Sequence, residues 1–299
     1  MFHIIINSHF EDSLWFCICR CIIHFIFSLL NIGLLLFMRK NQIGSPNATI
    51  LVKLQTSFDI LANIITPFLQ FQIHEQFLNI HLARIYCYLW KSSALFWKFM
   101  DSSLGIIILI TFDRFICIVF PFYYKTIPKA KLYHIIFFIL VINCILIPTL
   151  YSKDILQNAV MIYNETNYKC SSAVFTIYSF IISLIMNLMT LLSLIILNVL
   201  SVISLVRSVN SKIAKNILSR KKLSVRYTAA TAISIFCYSF VHMINIAFTI
   251  SGFFENITSD FIMYYITFLN AFSTVIHPIV YVILFKNVRQ FLLLFIKKS

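Results

Sequence analysis

The stretch TFDRFICIVFPFYY, Thr111–Tyr124, closes a long apolar run with an adjacent carboxylate and guanidinium, Asp113 and Arg114, and a proline, Pro121, a little further on. A charged pair in such surroundings has no water to lean on, so the run it belongs to decides what kind of chain this is. Sixty per cent of the 299 residues are hydrophobic and 11% are charged, whereas soluble domains carry about a quarter charged residues. The chain therefore reads as an integral membrane protein. A helix crosses the hydrocarbon core with about 20 mostly apolar residues, and seven such runs stand near 14–38, 50–73, 88–116, 132–151, 173–206, 225–252 and 261–285. Runs this long satisfy their backbone in lipid as helices, and the period-2 alternation of a membrane barrel is missing. The expected fold class is all-α: a seven-transmembrane bundle, one domain over 1–299, with a short amphipathic helix at 286–296 whose basic and apolar faces alternate.

Charge sets the orientation. Of the 24 Lys and Arg, only Arg20, Arg84, Lys91, Lys98, Lys153 and Lys169 fall on the side of the amino terminus, together with Glu11, Asp12, Glu75, Asp154, Glu165, Glu255 and Asp260. Cations retained in short cytoplasmic loops place the amino terminus outside and the carboxyl terminus inside. Net charge +14 is thus a topology signal and does not point to nucleic acid; the basic loop from Arg207 to Arg226 suits anionic lipid headgroups or a docking partner. The opening residues lack the pattern of a removable signal peptide, so the first helix is expected to act as its own signal.

Among the eight cysteines, Cys87 and Cys170 lie where an oxidising compartment can pair them, and that bridge is predicted. Cys17, Cys19, Cys21, Cys117, Cys144 and Cys237 fall in or beside helices. Glycan acceptor triplets begin at Asn164 and Asn256 in outer loops; the one at Asn47 falls inside.

Ionisable residues within membrane helices are costly and call for a functional hypothesis. Here they are Asp59, Asp101, His242 and His277, with Asp113 and Arg114 at the inner end of helix 3. Protonated burial and helix-to-helix hydrogen bonding are the plain alternatives for each.

As a set, they resemble the rhodopsin-like (class A) G-protein-coupled receptor family, whose third helix ends in D-R-Y-x-x-I-x-x-P-x-x-Y. Asp113, Arg114, Ile118, Pro121 and Tyr124 match, and Phe115 replaces the usual Tyr. Asn31, Asp59 and Ser103 are similar to the polar landmarks of helices 1, 2 and 3, and His277–Tyr281, HPIVY, to N-P-x-x-Y with Pro278 and Tyr281 kept. Departures are equally specific. His277 stands for Asn, Tyr238 for a Trp, Phe240 for the helix 6 Pro; helix 4 has no Trp and helix 5 no Pro at the usual place.

The resemblance implies a plasma-membrane receptor that binds an extracellular ligand and activates a heterotrimeric G protein, with no cofactor, no metal and no enzymatic activity. It implies a switch of Asp113, Arg114, Phe115, Pro278 and Tyr281, in which Asp113 neutralises Arg114 until helix 6 moves outward. Because Arg220, Lys221 and Lys222 stand where the family often has an acid, that lock is expected to be weak and basal signalling high. A mid-membrane polar cluster of Asn31, Asp59, Ser103, Ser273, Thr274 and His277 follows; in the family it can hold sodium, and here Asp59 is expected to pair with His277 and weaken sodium binding. The ligand cavity is expected to draw on Phe96, Trp97, Met100, Asp101, Tyr238, His242, Asn245, Thr267 and Asn270. Phe96 stands at the Asp of the amine receptors and Ala271 at the retinal Lys of opsins, which excludes both roles. Pro67 in helix 2, common in peptide receptors, favours a neuropeptide. The alternatives are a non-signalling receptor-fold decoy and a secondary transporter or channel, although the paired broken helices of the latter are missing.

Overall fold

A computed structural model describes residues 2–43, 46–70, 94–126, 138, 160–164, 167–170, 177–210, 218–255 and 259–291. Its helices are α1 (Phe2–Lys40), α2 (Pro46–Gln70), α3 (Ala94–Val119), the short α4 (Pro121–Thr126), α5 (Ile177–Asn210), α6 (Leu218–Glu255) and α7 (Ser259–Leu284). The expected fourth span near 132–151 lies outside the described residues, apart from Phe138. Neighbouring helices run α1–α2–α3–α5–α6–α7 and back to α1, and α3 also meets α6. Asp113 and Arg114 thus sit on the central helix.

Among the described residues, the spans Cys21–Lys40, Pro46–Pro67 and Lys98–Val119 are each long and apolar enough to cross a membrane. Outward faces are apolar where a soluble protein would be polar: on α6, Ile233, Phe236, Phe240 and Met243 form an exposed stripe at helical spacing. Inward faces hold Asn31, Asp59, Ser103, Ser273 and His277. This inversion is what a lipid surround selects, because apolar side chains cost nothing there and polar ones must find partners inside.

Helix limits overrun the hydropathy limits. α1 begins at Phe2, not near 14, and α6 begins at Leu218, not near 225. No Pro or Gly lies between Phe2 and Ile32 or between Leu218 and Ser251 to stop them. α1 ends on Arg39 and Lys40, favourable at a helix carboxyl end, and the Asn41 backbone and side-chain amides both donate to Phe37 O, at 3.1 and 3.0 Å. The Thr49 hydroxyl then receives Ile43 N–H at 3.0 Å and donates to Ile43 O at 3.1 Å, locking the turn into α2, which opens on Pro46.

Beyond α7 the ladder continues through Phe285 N–H to Tyr281 O, 2.9 Å, into a helical segment at 286–291. Val288 and Phe285 are buried with Phe37, Met38 and Ile43, while Lys286 and Arg289 are exposed. The Phe291 ring meets Phe37 edge-on, centroids 5.5 Å apart.

Among the described residues, one hairpin is not helical. Strands β1 (Val160–Asn164) and β2 (Asn167–Cys170) pair antiparallel, Val160 opposite Cys170 and Ile162 opposite Tyr168, with an irregularity between Ile162 and Asn164. Val, Ile and Tyr are good strand formers, so a short hairpin stands in the segment ahead of α5 beside the all-α bundle.

Candidate functional site

Two polar groups occupy the bundle. The first surrounds Asp59, fully buried in α2. Its Oδ1 accepts a hydrogen bond from Ser103 Oγ on α3 at 2.6 Å; Oδ2 receives the Gln55 amide at 3.5 Å. The same Gln55 nitrogen lies 3.5 Å from the Tyr238 hydroxyl on α6, which also interacts with Ser103 and Ser273. Donors from α2 and α3 thus hold the carboxyl group, and α6 and α7 join through the Tyr238 hydroxyl.

One turn along α2, Asn63 ties in α1 and α7. Its amide donates to Thr274 Oγ1 at 2.6 Å and to Asp59 O at 2.9 Å, and its Oδ1 lies 3.0 Å from Nδ1 of the buried His24. Proline explains the next bond: Pro278 has no N–H to give to Thr274 O, four residues back. That carbonyl instead accepts from Asn31 Nδ2 on α1 at 3.1 Å.

The structure corrects the expected Asp59–His277 pair. Ser103 and Gln55 hold the Asp59 carboxyl, while His277 lies between the rings of Tyr238 and Tyr281, at centroid distances of 6.0 and 5.7 Å. Opposite charge in the sequence suggested the pair; ring packing against two tyrosines decided otherwise. The same geometry tests the family's sodium site. A hard cation needs converging oxygen ligands, but the Asp59 oxygens already accept hydrogens, Thr274 Oγ1 takes one from Asn63, and His277 brings an imidazole. These residues do not fit sodium. Exchanging sodium chloride for choline chloride is expected to leave the melting temperature of the detergent-solubilised protein unchanged. A sodium-dependent rise that Asp59→Asn removes would contradict this.

The second group lies at the α3–α4 junction. Arg114 Nε donates to Asp113 Oδ2 at 3.1 Å, and an Arg114 terminal N–H contacts the same oxygen. The other oxygen, Oδ1, accepts from the Tyr124 hydroxyl at 2.7 Å. Adjacent helical residues do not normally face each other; the long guanidinium stem folds back, and both residues are buried. Pro121 starts α4 one residue after α3 ends, which returns Tyr124 to Asp113. Phe115 packs its ring on Phe120, 6.2 Å away. Tyr281 and Pro278 are buried in α7.

Of the cavity candidates, Phe96 and Met100 are buried with Ala62, Asp101 is half-buried one turn from Lys98, and Tyr238 is buried. Trp97, His242, Asn245, Thr267 and Asn270 are placed on α3, α6 and α7 by their backbone. Cys170 ends β2 and Asn164 ends β1; Cys87 and Asn256 lie outside the described residues. Gln55, Asn63 and His24 escaped the sequence reading, though a signal existed. Gln55 and Asn63 stand one turn before and after Asp59, on the same face.

This arrangement has a counterpart among known families. The family described as serpentine type 7TM GPCR chemoreceptor Srsx matches the chain over residues 21–291. The chain belongs to the Srsx family. The match takes in α1 from Cys21 onward, the other long helices described, and both polar groups. Srsx membership makes the chain a multi-pass membrane receptor of the G-protein-coupled type with a seven-helix bundle, and places it in a family of receptors, not enzymes. No curated protein matches it.

Proposed function

We propose that this Srsx chain is a plasma-membrane receptor, amino terminus outside, that binds an external chemical between α3, α6 and α7 and activates a heterotrimeric G protein through Asp113 and Arg114. The observation that carries this reading is the buried Arg114 guanidinium, held by an Asp113 carboxylate whose second oxygen is taken by Tyr124. A charge stored this way can be released to a partner, and its release is tied to the central helix. The orientation rests on the exposed Arg39, Lys40, Lys286 and Arg289 gathered at the Arg114 end. In that orientation the β1–β2 hairpin faces outside, in keeping with a glycan at Asn164 or Asn256 and a Cys87–Cys170 bridge.

The family's description as chemoreceptors and the apolar character of Phe96 and Met100 favour a small, largely apolar ligand. Pro67 inside α2 supports a neuropeptide as the second reading. Cells carrying the full chain and a promiscuous G-protein reporter, challenged with a small-odorant panel and separately with a neuropeptide panel, distinguish them. A response to odorants is expected. A response to peptides alone would select the second reading, and silence in ligand-free and challenged cells alike would select a non-signalling decoy or a transporter.

The partner's seat is suggested beside the switch. Phe122 is 86% exposed on α4 beside exposed Tyr123, with exposed Phe120 just ahead of the helix. A projecting aromatic flanking a releasable charge fits a partner's pocket, and such anchors dominate interface energetics. Phe122→Ala is expected to lower reporter output about tenfold at unchanged surface density. A parallel fall in surface density would point to a lipid anchor instead.

A further inference from the structure

Three helices close on one apolar cluster in the middle of the bundle. Ile107 of α3, Leu194 of α5, and Ile235 and Tyr238 of α6 are buried together, with Leu104 and Ile108 packed against them. This cluster forms a floor, and the helix registers fix which residues stand above it on the side away from Arg114. Asp101 lies three residues before Leu104 and seven before Ile108, on their stripe of α3. Asn187 lies seven residues before Leu194 on α5. In a seven-helix bundle α6 runs opposite to α3 and α5, so the matching position on α6 is Asn245, seven residues after Tyr238. At a rise of about 1.5 Å per residue, all three positions fall about 9–10 Å beyond the floor. α3 meets α5 and α6, and α5 meets α6. Residues bearing one carboxyl group and two carboxamides therefore share one level of the space among these helices.

The carboxyl group is the informative member. Lys98 opens the apolar span Lys98–Val119, and Asp101 stands one turn inside it. A charge there is costly and calls for a partner. Lys98 acts on Asp101 through its charge, and both residues are half-buried. Their reach differs, however. An ammonium on a four-carbon stem extends to the membrane surface, while the short Asp101 side chain stays where the backbone puts it. One side-chain movement of Lys98 thus uncovers the carboxylate. An ionised carboxyl group accepts hydrogen bonds and donates none, so what takes the place of Lys98 is another cation. Phe96 closes the position that the resemblance gives to an amine, but Phe96 is buried with Ala62 of α2 and lies about 140° around α3 from Asp101. The two positions are separate.

We propose that Asp101 anchors the protonated nitrogen of a small ligand whose apolar body rests on the floor of Ile107, Leu194 and Tyr238, and that Lys98 occupies Asp101 until the ligand displaces it. This rests on the reading of the cavity as a ligand site and adds the ligand's charge.

The test needs binding alone. The full chain in detergent is titrated with 2-phenylethylamine, n-hexylamine and cyclohexylmethylamine, each beside the alcohol of the same skeleton, and the rise in melting temperature gives the half-saturating concentration. At least one amine is expected to bind about tenfold more tightly than its alcohol, as a charge-assisted contact requires. Lys98→Met keeps the stem and drops the competing charge, so the half-saturating concentration of that amine should fall about tenfold. In Asp101→Asn its advantage over the alcohol should vanish, and in Asp101→Glu, which keeps a carboxylate, the advantage should persist. Absence of any amine advantage in wild type, whether both classes bind or neither does, would overturn the proposal. So would an advantage that survives in Asp101→Asn, or an amine affinity that Lys98→Met leaves unchanged. Reporter output separates this from the signalling reading. Amine binding with silent cells would leave the anchor standing and count against signalling, whereas ligand-free output lost in Arg114→Ala without any amine advantage would do the reverse.

Discussion

Arg114→Ala is expected to abolish G-protein output at unchanged surface density, and Asp113→Asn to raise ligand-free output by one to two orders of magnitude. Both follow from where the charge sits. The guanidinium and carboxylate are buried side by side, with the Tyr124 hydroxyl completing the carboxylate. Removing one member of a buried pair costs about 3–5 kcal/mol because the other is left uncompensated. Asp113→Asn imposes that cost on the paired state alone, since an Arg114 already turned toward a partner or water does not use Asp113. Even half the cost, about 2 kcal/mol, shifts a two-state population about thirtyfold. From Arg207 to Phe254 the sequence contains no acid, so no carboxylate from α6 adds to Asp113, and Arg220, Lys221 and Lys222 bring further positive charge to that helix. Tyr124→Phe removes one hydrogen bond to a charged group, about 1.5–3 kcal/mol, and should fall between wild type and Asp113→Asn. A reporter titration against surface antibody staining reads all three. Full output from Arg114→Ala, or an Asp113→Asn no more active than wild type, would remove the switch from the mechanism.

How far this was readable beforehand depends on what each feature owes to chain-local chemistry. Membrane spans are local: a window of apolar residues has one way to satisfy its backbone in lipid, so hydropathy locates α1, α2 and α3. Their ends are less so, because α6 runs back through Arg220, Lys221 and Lys222, good helix formers that hydropathy counts as loop. The β1–β2 hairpin is a handful of residues in a connecting segment and carries no periodic signal long enough to see. Within the site, Asp59 and Ser103 stand out as polar residues in apolar runs. Gln55 and Asn63 are neutral amides, which membrane helices carry for many reasons, although on a helix they share Asp59's face. For His277 the sequence points to Asp59, whereas the structure sets its ring between Tyr238 and Tyr281. Complementary charge is visible in a sequence, while the rotation that turns an imidazole toward two tyrosines depends on how α6 and α7 pack.

Asn63 offers the clearest way to ask whether the polar braid holds the bundle together. It joins three helices from one side chain: Thr274 on α7 at 2.6 Å, His24 on α1 at 3.0 Å and the α2 carbonyl of Asp59 at 2.9 Å. Hydrogen bonds between membrane helices contribute only about 0.6 kcal/mol on average, because the separated helices find other partners. Asn63→Ala removes three contacts at a site where water has no ready access, so about 2 kcal/mol is expected, a fall of roughly 4–8 °C in the melting temperature. The informative control is Phe236→Ala. Phe236 is 74% exposed on the outward face of α6, and in a soluble core deletion of a Phe side chain costs about 3–5 kcal/mol. Here detergent or lipid fills the space, and the melting temperature should barely move. An order of effects in which Phe236→Ala exceeds Asn63→Ala would mean that the outward face of α6 is packed against protein, and that the polar contacts among α1, α2 and α7 add little to what apolar packing already holds.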